Sequence, residues 1–375
     1  MASETRQGRV RLCCLFGGRS GEHEVSLDSA RAVMKAADPS RYQILPVGIT
    51  REGIWQTPAE EGPPEPGRAF DPGAVPVALW SAPGFRGLLR IDSPEGKDPP
   101  AWNRCPVDIV FPVLHGTYGE DGRVQGLIEM AGLPFVGSDV LGSAAAMDKD
   151  VMKRLFERAG LPQVRWMTVT SDRWERQSDL VTKEIEETLG YPCFVKPINL
   201  GSSVGISKVG TRAGLSPAIE MAARYDQRII IEEGIPVREI ECGVLGNSDP
   251  EASVVGEILP CNDFYDYDAK YIMKASELLI PSPVDDATSR KIQALALRAF
   301  ETVQAAGLAR VDFFLHKETG EIYVNEINTM PGFTEISMYP KLWGASGVPY
   351  PALIERLINF GFARHTARAS LRFSR

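Results

Sequence analysis

Apolar residues early in the chain gather in short uninterrupted runs separated by glycine-rich turns and amphipathic stretches. Residues 10–16, 43–49 and 107–114 read as buried strands, and 26–37 as an amphipathic helix with Ser26 as its cap. This alternation predicts an open α/β sheet whose glycine loops, 17–21 and 115–122, face a ligand. Residues 57–103 are rich in proline and glycine with few periodic runs. They predict a long, irregular, peripheral excursion with a small hairpin at 75–80 and 88–91.

Near residue 147 the pattern changes. Helical periodicity at 149–159, 179–189 and 213–225 is interleaved with strand signals at 166–169, 193–196, 206–209 and 228–232. Antiparallel strands follow at 238–245 and 253–259, then a polar and aromatic loop, a long helix at 286–306, a hairpin and a last helix at 350–361. The basic stretch 363–375 reads as a frayed end. These shifts divide the chain into three units. An open α/β sheet spans 1–146, a small central α+β unit 147–233, and an α+β unit with an antiparallel sheet 234–375, carrying a lid loop at 262–281. The fold class is α/β, α+β overall. A chain of 375 residues is long enough for such a division.

Composition narrows the function. Hydrophobic residues make up 43% and charged ones 24%, so the chain is globular. A net charge of −8 argues against nucleic acid as a partner. The six cysteines form no CxxC pair and read as buried hydrophobes of a reducing compartment. The four histidines form no HExxH arrangement, so zinc chemistry is not expected. Without a leader or an apolar run of membrane length, the expectation is a cytoplasmic protein with no membrane partner.

The candidate chemistry starts at a hairpin. Residues 310–315 and 321–328 are strands joined by a loop ending at Gly320. Strand alternation points Glu326 and Asn328 the same way, and a glycine-bulge register sets Asp312 opposite Glu326. Two carboxylates and a carboxamide suit a hard cation such as magnesium, which usually also holds phosphates. The same residues fit a solvated acidic face. The loop 201–205 offers backbone N–H groups to a phosphate, and Lys196 ends an apolar strand where a charged partner would account for it. An ordinary flexible hairpin fits that loop as well. Glu232 and Glu239 flank the end of a buried strand, and loop 263–271 mixes aromatics, acids and Lys270 as a lid would.

In this order these stretches resemble the D-alanine–D-alanine ligases, a branch of the ATP-grasp enzymes. The matching runs are GGRSGEHEVS (17–26), HGTYGEDG (115–122), MDK (147–149), VKPINLGSSVGISKV (195–209), FYDYDAKY (264–271), ARVDFF (309–314) and NEINTMPGFTEISMYPKLW (325–343). The resemblance implies an ATP-grasp fold. It also implies ligation of two D-alanines through a D-alanyl phosphate for peptidoglycan precursor synthesis, with ATP and two magnesium ions, manganese as a substitute, a monovalent cation as a further candidate, and a homodimer. By position, metal ligands fall on Asp312, Glu326 and Asn328. ATP contacts fall on Lys149, Lys196, Ser202, Ser203, Glu232, Glu233, Ile235, Glu239, Phe264, Lys270, Asn325 and Glu326, with little weight on the side chain at 233. Glu22 would bind the first D-alanine's ammonium within a network with Ser202 and Tyr271. Arg310 would stabilise the tetrahedral intermediate with the backbone of Gly332, His115 would join the substrate site, and Ser337 and Met338 would take the second D-alanine's carboxylate. The tyrosine at 271 favours an amine nucleophile over the D-lactate alternative.

Overall fold

The computed structural model describes residues 8–60, 62–92, 101–201, 203–259 and 277–372. Three sheets organise them. The first contains β1 (Val10–Gly17), β2 (Tyr42–Ile49), β3 (Trp55–Thr57), β4 (Val75–Leu79), β5 (Gly87–Asp92), β6 (Ala101–Pro106) and β7 (Ile109–Val113), in the order β6-β5-β4-β3-β2-β1-β7. Its β2-β1-β7 core is parallel, and β3 to β6 extend it antiparallel. Pro112 is tolerated in β7 because the strand lies at the sheet's edge. The helices α1 (His23–Ala36), α2 (Arg123–Met130) and α3 (Val140–Met147) complete this part.

The second sheet contains β8 (Trp166–Thr170), β9 (Cys193–Pro197), β10 (Ser207–Val209) and β11 (Arg228–Glu233), ordered β10-β9-β11-β8. It is accompanied by α5 (Ser171–Thr188) and α6 (Leu215–Ala223), while α4 (Lys149–Arg158) packs Met152 and Phe156 into the core of the third sheet. The third, ordered β14-β13-β12-β15-β16, contains β12 (Val237–Gly246), β13 (Glu251–Leu259), β14 (Glu277–Leu279), β15 (Gly307–His316) and β16 (Ile322–Asn328). Helices α7 (Asp286–Thr302), α8 (Met338–Ala345) and α9 (Tyr350–Ala369) belong with it.

The cores show which sheets pack together. Cys193, Val195, Ile229 and Ile231 bury one face of the second sheet in a cluster of its own with α5 and α6. The first and third sheets instead share a cluster: Leu12, Cys14 and Phe111 pack with Leu245, Leu308, Phe333 and Trp343. They are therefore one packed body, with the second sheet set against it.

Several expectations are corrected. The stretch 57–103 is no irregular excursion: its described residues build β4 to β6, and the expected small hairpin is β4–β5. Ser26 does not cap α1. It lies buried one turn inside, its hydroxyl accepting from Gly17 N–H at 2.8 Å and donating to Val113 O. The frayed end is mostly helix, because α9 runs to Ala369 and Arg364 folds over the Phe135 ring at 4.3 Å. Its guanidinium also donates to Gly137 O and Phe135 O. The long helix ends at Thr302, short of 306, and α5 begins eight residues before the expected 179, with a kink at Gln177. The short helices α2, α3 and α8 were not expected; each has only eight residues, too few to display a clear apolar period.

Candidate active site

Alternation on β9 and β11 splits their residues between two environments. Odd positions bury in the core, whereas Phe194, Lys196 and Glu232 turn to a cavity of about 700 Å³ between the second and third sheets. Phe194, Ile206, Ile235 and Phe314 give this cavity apolar walls, and Gly201, Ser203, Glu239, Asn325 and Glu326 line it too. Lys149, the first residue of α4, donates from Nζ to Leu200 O at 2.8 Å and stands 3.6 Å from Glu326 Oε2. It thus ties the 201–205 loop to the third sheet.

Under the cavity lies a buried charge cluster. Glu232 accepts from Lys196 Nζ at 2.6 Å on one oxygen, and Lys153 Nζ sits 3.2 Å from the other. Burial would push the Glu232 carboxyl up, but the two ammonium groups outweigh it and hold it at about 2. Burial lowers Lys153, while for Lys196 the attraction of Glu232 overcomes burial and the pKa rises. Glu233 points elsewhere: its carboxylate receives the backbone N–H and the guanidinium of Arg165, each at 2.6 Å. Arg238 forms a second lining pair, bidentate to Glu257 at 2.7 and 2.6 Å.

The hairpin takes the expected register, with Asp312 opposite Glu326 and Arg310 opposite Asn328. The pairing then slips, from Asp312–Glu326 to Phe313–Val324, so Asn325 is an extra residue on β16. Such a bulge re-aims side chains. It explains how consecutive residues, Asn325 and Glu326, both line the cavity when a regular strand would send one inward. Asp312 receives both sides of the Arg310 guanidinium at 2.7 Å and the Asn328 amide at 3.1 Å. Glu241 on β12 adds a second carboxylate, 2.9 Å from Arg310 Nε. Burial alone would lower Arg310, but Asp312 and Glu241 keep it charged at all ordinary pH. A carboxylate has about four lone-pair sites, so Asp312 can serve Arg310 and a cation together. With Glu326 and the Asn328 carbonyl it makes an oxygen-only set that fits magnesium. Lys149 and Arg310 beside it also leave room for anionic phosphate oxygens.

The first sheet approaches beside this cavity. Glu22 is the N-cap residue of α1, and its Oε2 lies where a Cβ on Gly116 would be 2.6 Å away and one on Gly201, which lines the cavity, 3.1 Å away. Glycine at both positions leaves that carboxylate room between the two loops. His115 does not reach into this space directly. Its Nδ1 meets Met330 O at 2.9 Å and its Nε2 meets Ser29 Oγ at 3.0 Å, while the same hydroxyl accepts from Phe333 N–H at 3.2 Å. Burial lowers its pKa, which suits a neutral ring donating from Nδ1 and accepting at Nε2. It pins the 330–333 turn to the first sheet. Glu120, also buried, accepts from Gly116 N–H at 2.9 Å. Burial, and then the nearby Glu22 charge, raise its carboxyl to about 8, which favours the protonated form. Ser337 Oγ lies 3.1 Å from where a Cβ on Gly332 would stand and contacts Thr334 Oγ1 at 2.7 Å. The Met338 side chain is buried among Ile258 and Leu342, so only its backbone, at the start of α8, is available to a carboxylate.

Ser202, Phe264, Lys270 and Tyr271, and the lid loop up to residue 276, lie outside the described residues. Of the other expected residues, Lys149, Lys196, Ser203, Glu232, Glu233, Ile235, Glu239, Asn325 and Glu326 line the cavity, whereas Glu22, His115, Arg310, Asp312, Asn328, Gly332, Ser337 and Met338 are not part of its lining. Sequence reasoning missed Lys153, Glu241, Glu120 and Ser29. Glu241 could have been found, since it stands two residues after Glu239 on the same strand face. Lys153 shares a helix face with Lys149 four residues earlier, which is the only signal it carries.

Two family models match the chain. One is described as the D-ala D-ala ligase N-terminus, over residues 11–138, and the other as the D-ala D-ala ligase C-terminus, over 155–359. A D-alanine–D-alanine ligase of Heliobacterium modesticaldum is 49% identical over 354 residues, covering 94% of this chain and 95% of that one. One of Ruminiclostridium cellulolyticum is 49% identical over 365 residues, covering 95% and 96%. Among solved structures, the VanG D-Ala:D-Ser ligase of Enterococcus faecalis superposes with a TM-score of 0.83 at 36% identity, covering 94% of this chain and 100% of that one. The D-alanine–D-alanine ligase of Coxiella burnetii gives 0.77 at 34%, covering 96% of each. A cavity of this make-up, on a fold shared with these enzymes and with matches along nearly the whole length, has one reading: this chain is a member of the D-alanine–D-alanine ligase family, with the ATP-grasp fold.

Proposed function

We propose that the chain joins two D-alanine molecules into D-alanyl-D-alanine at the expense of ATP, releasing ADP and phosphate. The observation that carries this is the cavity lined by Lys149, Lys196 and Glu326, with Asp312 and Arg310 on the strand paired to Glu326 and Asn328, and with Glu22 against the cavity-lining Gly201. A carboxylate is a poor acyl donor because its leaving group would be oxide. Transfer of the γ-phosphoryl group onto it makes an acyl phosphate, whose leaving group is phosphate. The amine of the second D-alanine then attacks the acyl carbon and phosphate departs.

In this reading the apolar walls, Phe194 and Phe314 among them, hold adenine, with the backbone at 232–235 and Glu239 meeting its polar edges and the ribose. Lys149, Lys196 and the 201–205 loop, Ser202 and Ser203 included, meet the phosphates. Asp312, Glu326 and Asn328 would hold magnesium, or manganese in its place, which when bound offsets the charge that gathers on the transferring group. Glu22 fixes the first D-alanine's ammonium, and Arg310 stabilises the oxyanion of the tetrahedral stage with the backbone at Gly332. Ser337 and the N–H groups opening α8 receive the second carboxylate. His115 and Glu120 position the loops that carry Glu22 and Met330. Tyr271, Phe264 and Lys270 are proposed to close over the reacting groups and exclude water. A monovalent cation and a cytoplasmic location are proposed on the family likeness alone.

The units 1–146, 147–233 and 234–375 are proposed as the domains, with the nucleotide between the last two. The homodimer is tested by sedimentation, where a monomer at micromolar concentration would refute it. The function is tested by phosphate release in ATP and magnesium with D-alanine, D-serine or D-lactate supplied in turn. Release that requires D-serine or D-lactate would replace this substrate assignment.

A further inference from the structure

Lys153 lies outside the motifs that carry the family resemblance, yet its side chain is fully buried, 0% exposed, directly behind the cavity. Its ammonium is 3.2 Å from Glu232 Oε1, while Lys196 Nζ holds Oε2 of the same carboxylate at 2.6 Å. Lys196 and Glu232 line the cavity; Lys153 backs them from α4, one helical turn beyond Lys149. The cluster sums to one positive charge, an arrangement that needs a reason. A single buried pair would already be neutral, and adding another buried ammonium carries a desolvation cost.

The reason lies in what Lys196 must do. To meet a phosphate its Nζ has to leave Glu232. If Glu232 had no other partner, that move would strand a buried carboxylate next to an arriving polyanion, a heavy penalty. With Lys153 in place the carboxylate keeps an ammonium, and the cluster's surplus positive charge is what the phosphate meets. We propose that Lys153 is a positioning residue for nucleotide binding: by holding Glu232 from behind, it frees Lys196 to exchange that carboxylate for a phosphate of ATP. The depressed Glu232 pKa fits a carboxylate that stays ionised throughout the exchange.

This inference rests on the nucleotide reading of the cavity, and its test separates the two. The Kd of ATP with magnesium is measured by calorimetry on the wild type, Lys153→Met, Lys153→Arg and the double variant Lys153→Met/Glu232→Gln, with kcat and both KM values alongside. A wild type that binds no ATP would sink the nucleotide reading itself. Given wild-type binding, K153M is expected to weaken ATP at least tenfold in Kd and KM, with kcat at saturating ATP and the D-alanine KM within about threefold. K153R, which keeps the charge, is expected to retain most of the affinity. The double variant removes the carboxylate that would be stranded, and is expected to bind ATP at least threefold more tightly than K153M. A K153M affinity within twofold of wild type would overturn the proposal, and so would a double variant as weak as the single one. Should K153M not fold, the double variant alone decides, since an ATP Kd more than tenfold above wild type in that folded protein refutes the exchange.

Discussion

At the residue scale the site is a set of opposed charges held by sheet register. Asp312 and Glu326 face each other because of that register, and Arg310 is held by Asp312 and Glu241. Asp312→Asn or Glu326→Gln should therefore lower kcat on the order of 10³-fold, as removal of a charge-stabilising group does. The melting temperature should stay within a few degrees, because both residues face the cleft; a collapse of the fold instead would mark them as structural. Glu120 gives a pH signature. Its folded pKa of about 8 stands above the ordinary 4.5, so between these values the folded state keeps a proton that the unfolded chain has released. Stability from this group is complete below pH 4.5 and is lost as pH rises through 8. Glu120→Gln should flatten the fall in unfolding free energy between pH 5 and pH 8 and leave the variant the more stable at pH 8. Urea titrations at the two pH values measure it; an unchanged slope would mean that Glu120 is ionised in the native protein.

Elements decide which residues can meet, and here the sequence is uneven as a guide. The motif-bearing strands and the hairpin were legible because alternation and glycine turns are local signals. The slip at Asn325 leaves a trace too: burial along β16 alternates through Val324 and then gives two half-buried residues in a row, where sequence shows Asn-Glu before Ile327. The Glu232 cluster was not legible, because Lys153 and Lys196 come from a helix and a strand whose packing no local pattern reports. Nor was the sheet role of 57–103, where proline and glycine hid short strands that depend on their neighbours for pairing. Loops and helix ends supply two tests. Gly116 has φ +71° and faces Glu22, so Gly116→Ala should push that carboxylate aside. It should raise the D-alanine KM more than the ATP KM and cost about 1 kcal/mol of stability from the positive φ; equal effects on both KM values would contradict the placement of Glu22. Arg364, stacked on Phe135 and bonded to two carbonyls of the first sheet's border, makes the C-terminal half of α9 a strap. Arg364→Ala should cost about 2 kcal/mol in urea unfolding, and no loss would return that segment to a dispensable end.

For the whole molecule, the consequence is a cleft between unlike partners. The first and third sheets share one core through Phe111, Phe333 and Trp343, while the second keeps its own. Glu22 and Arg310 thus sit on one packed body, and Lys196 with Gly201 on the other. Lys149, near both Leu200 and Glu326, bridges them. In the proposed function the reacting groups meet across that cleft, where a labile acyl phosphate would be made out of reach of water. The central claim is ligation of two D-alanines driven by ATP. It is tested most directly by incubating the protein with ATP, magnesium and D-alanine while separating the products and counting phosphate. The account predicts D-alanyl-D-alanine and inorganic phosphate in equal amounts, with neither formed when ATP is omitted. Phosphate release without dipeptide, or no release with D-alanine but release with D-serine or D-lactate, would contradict it.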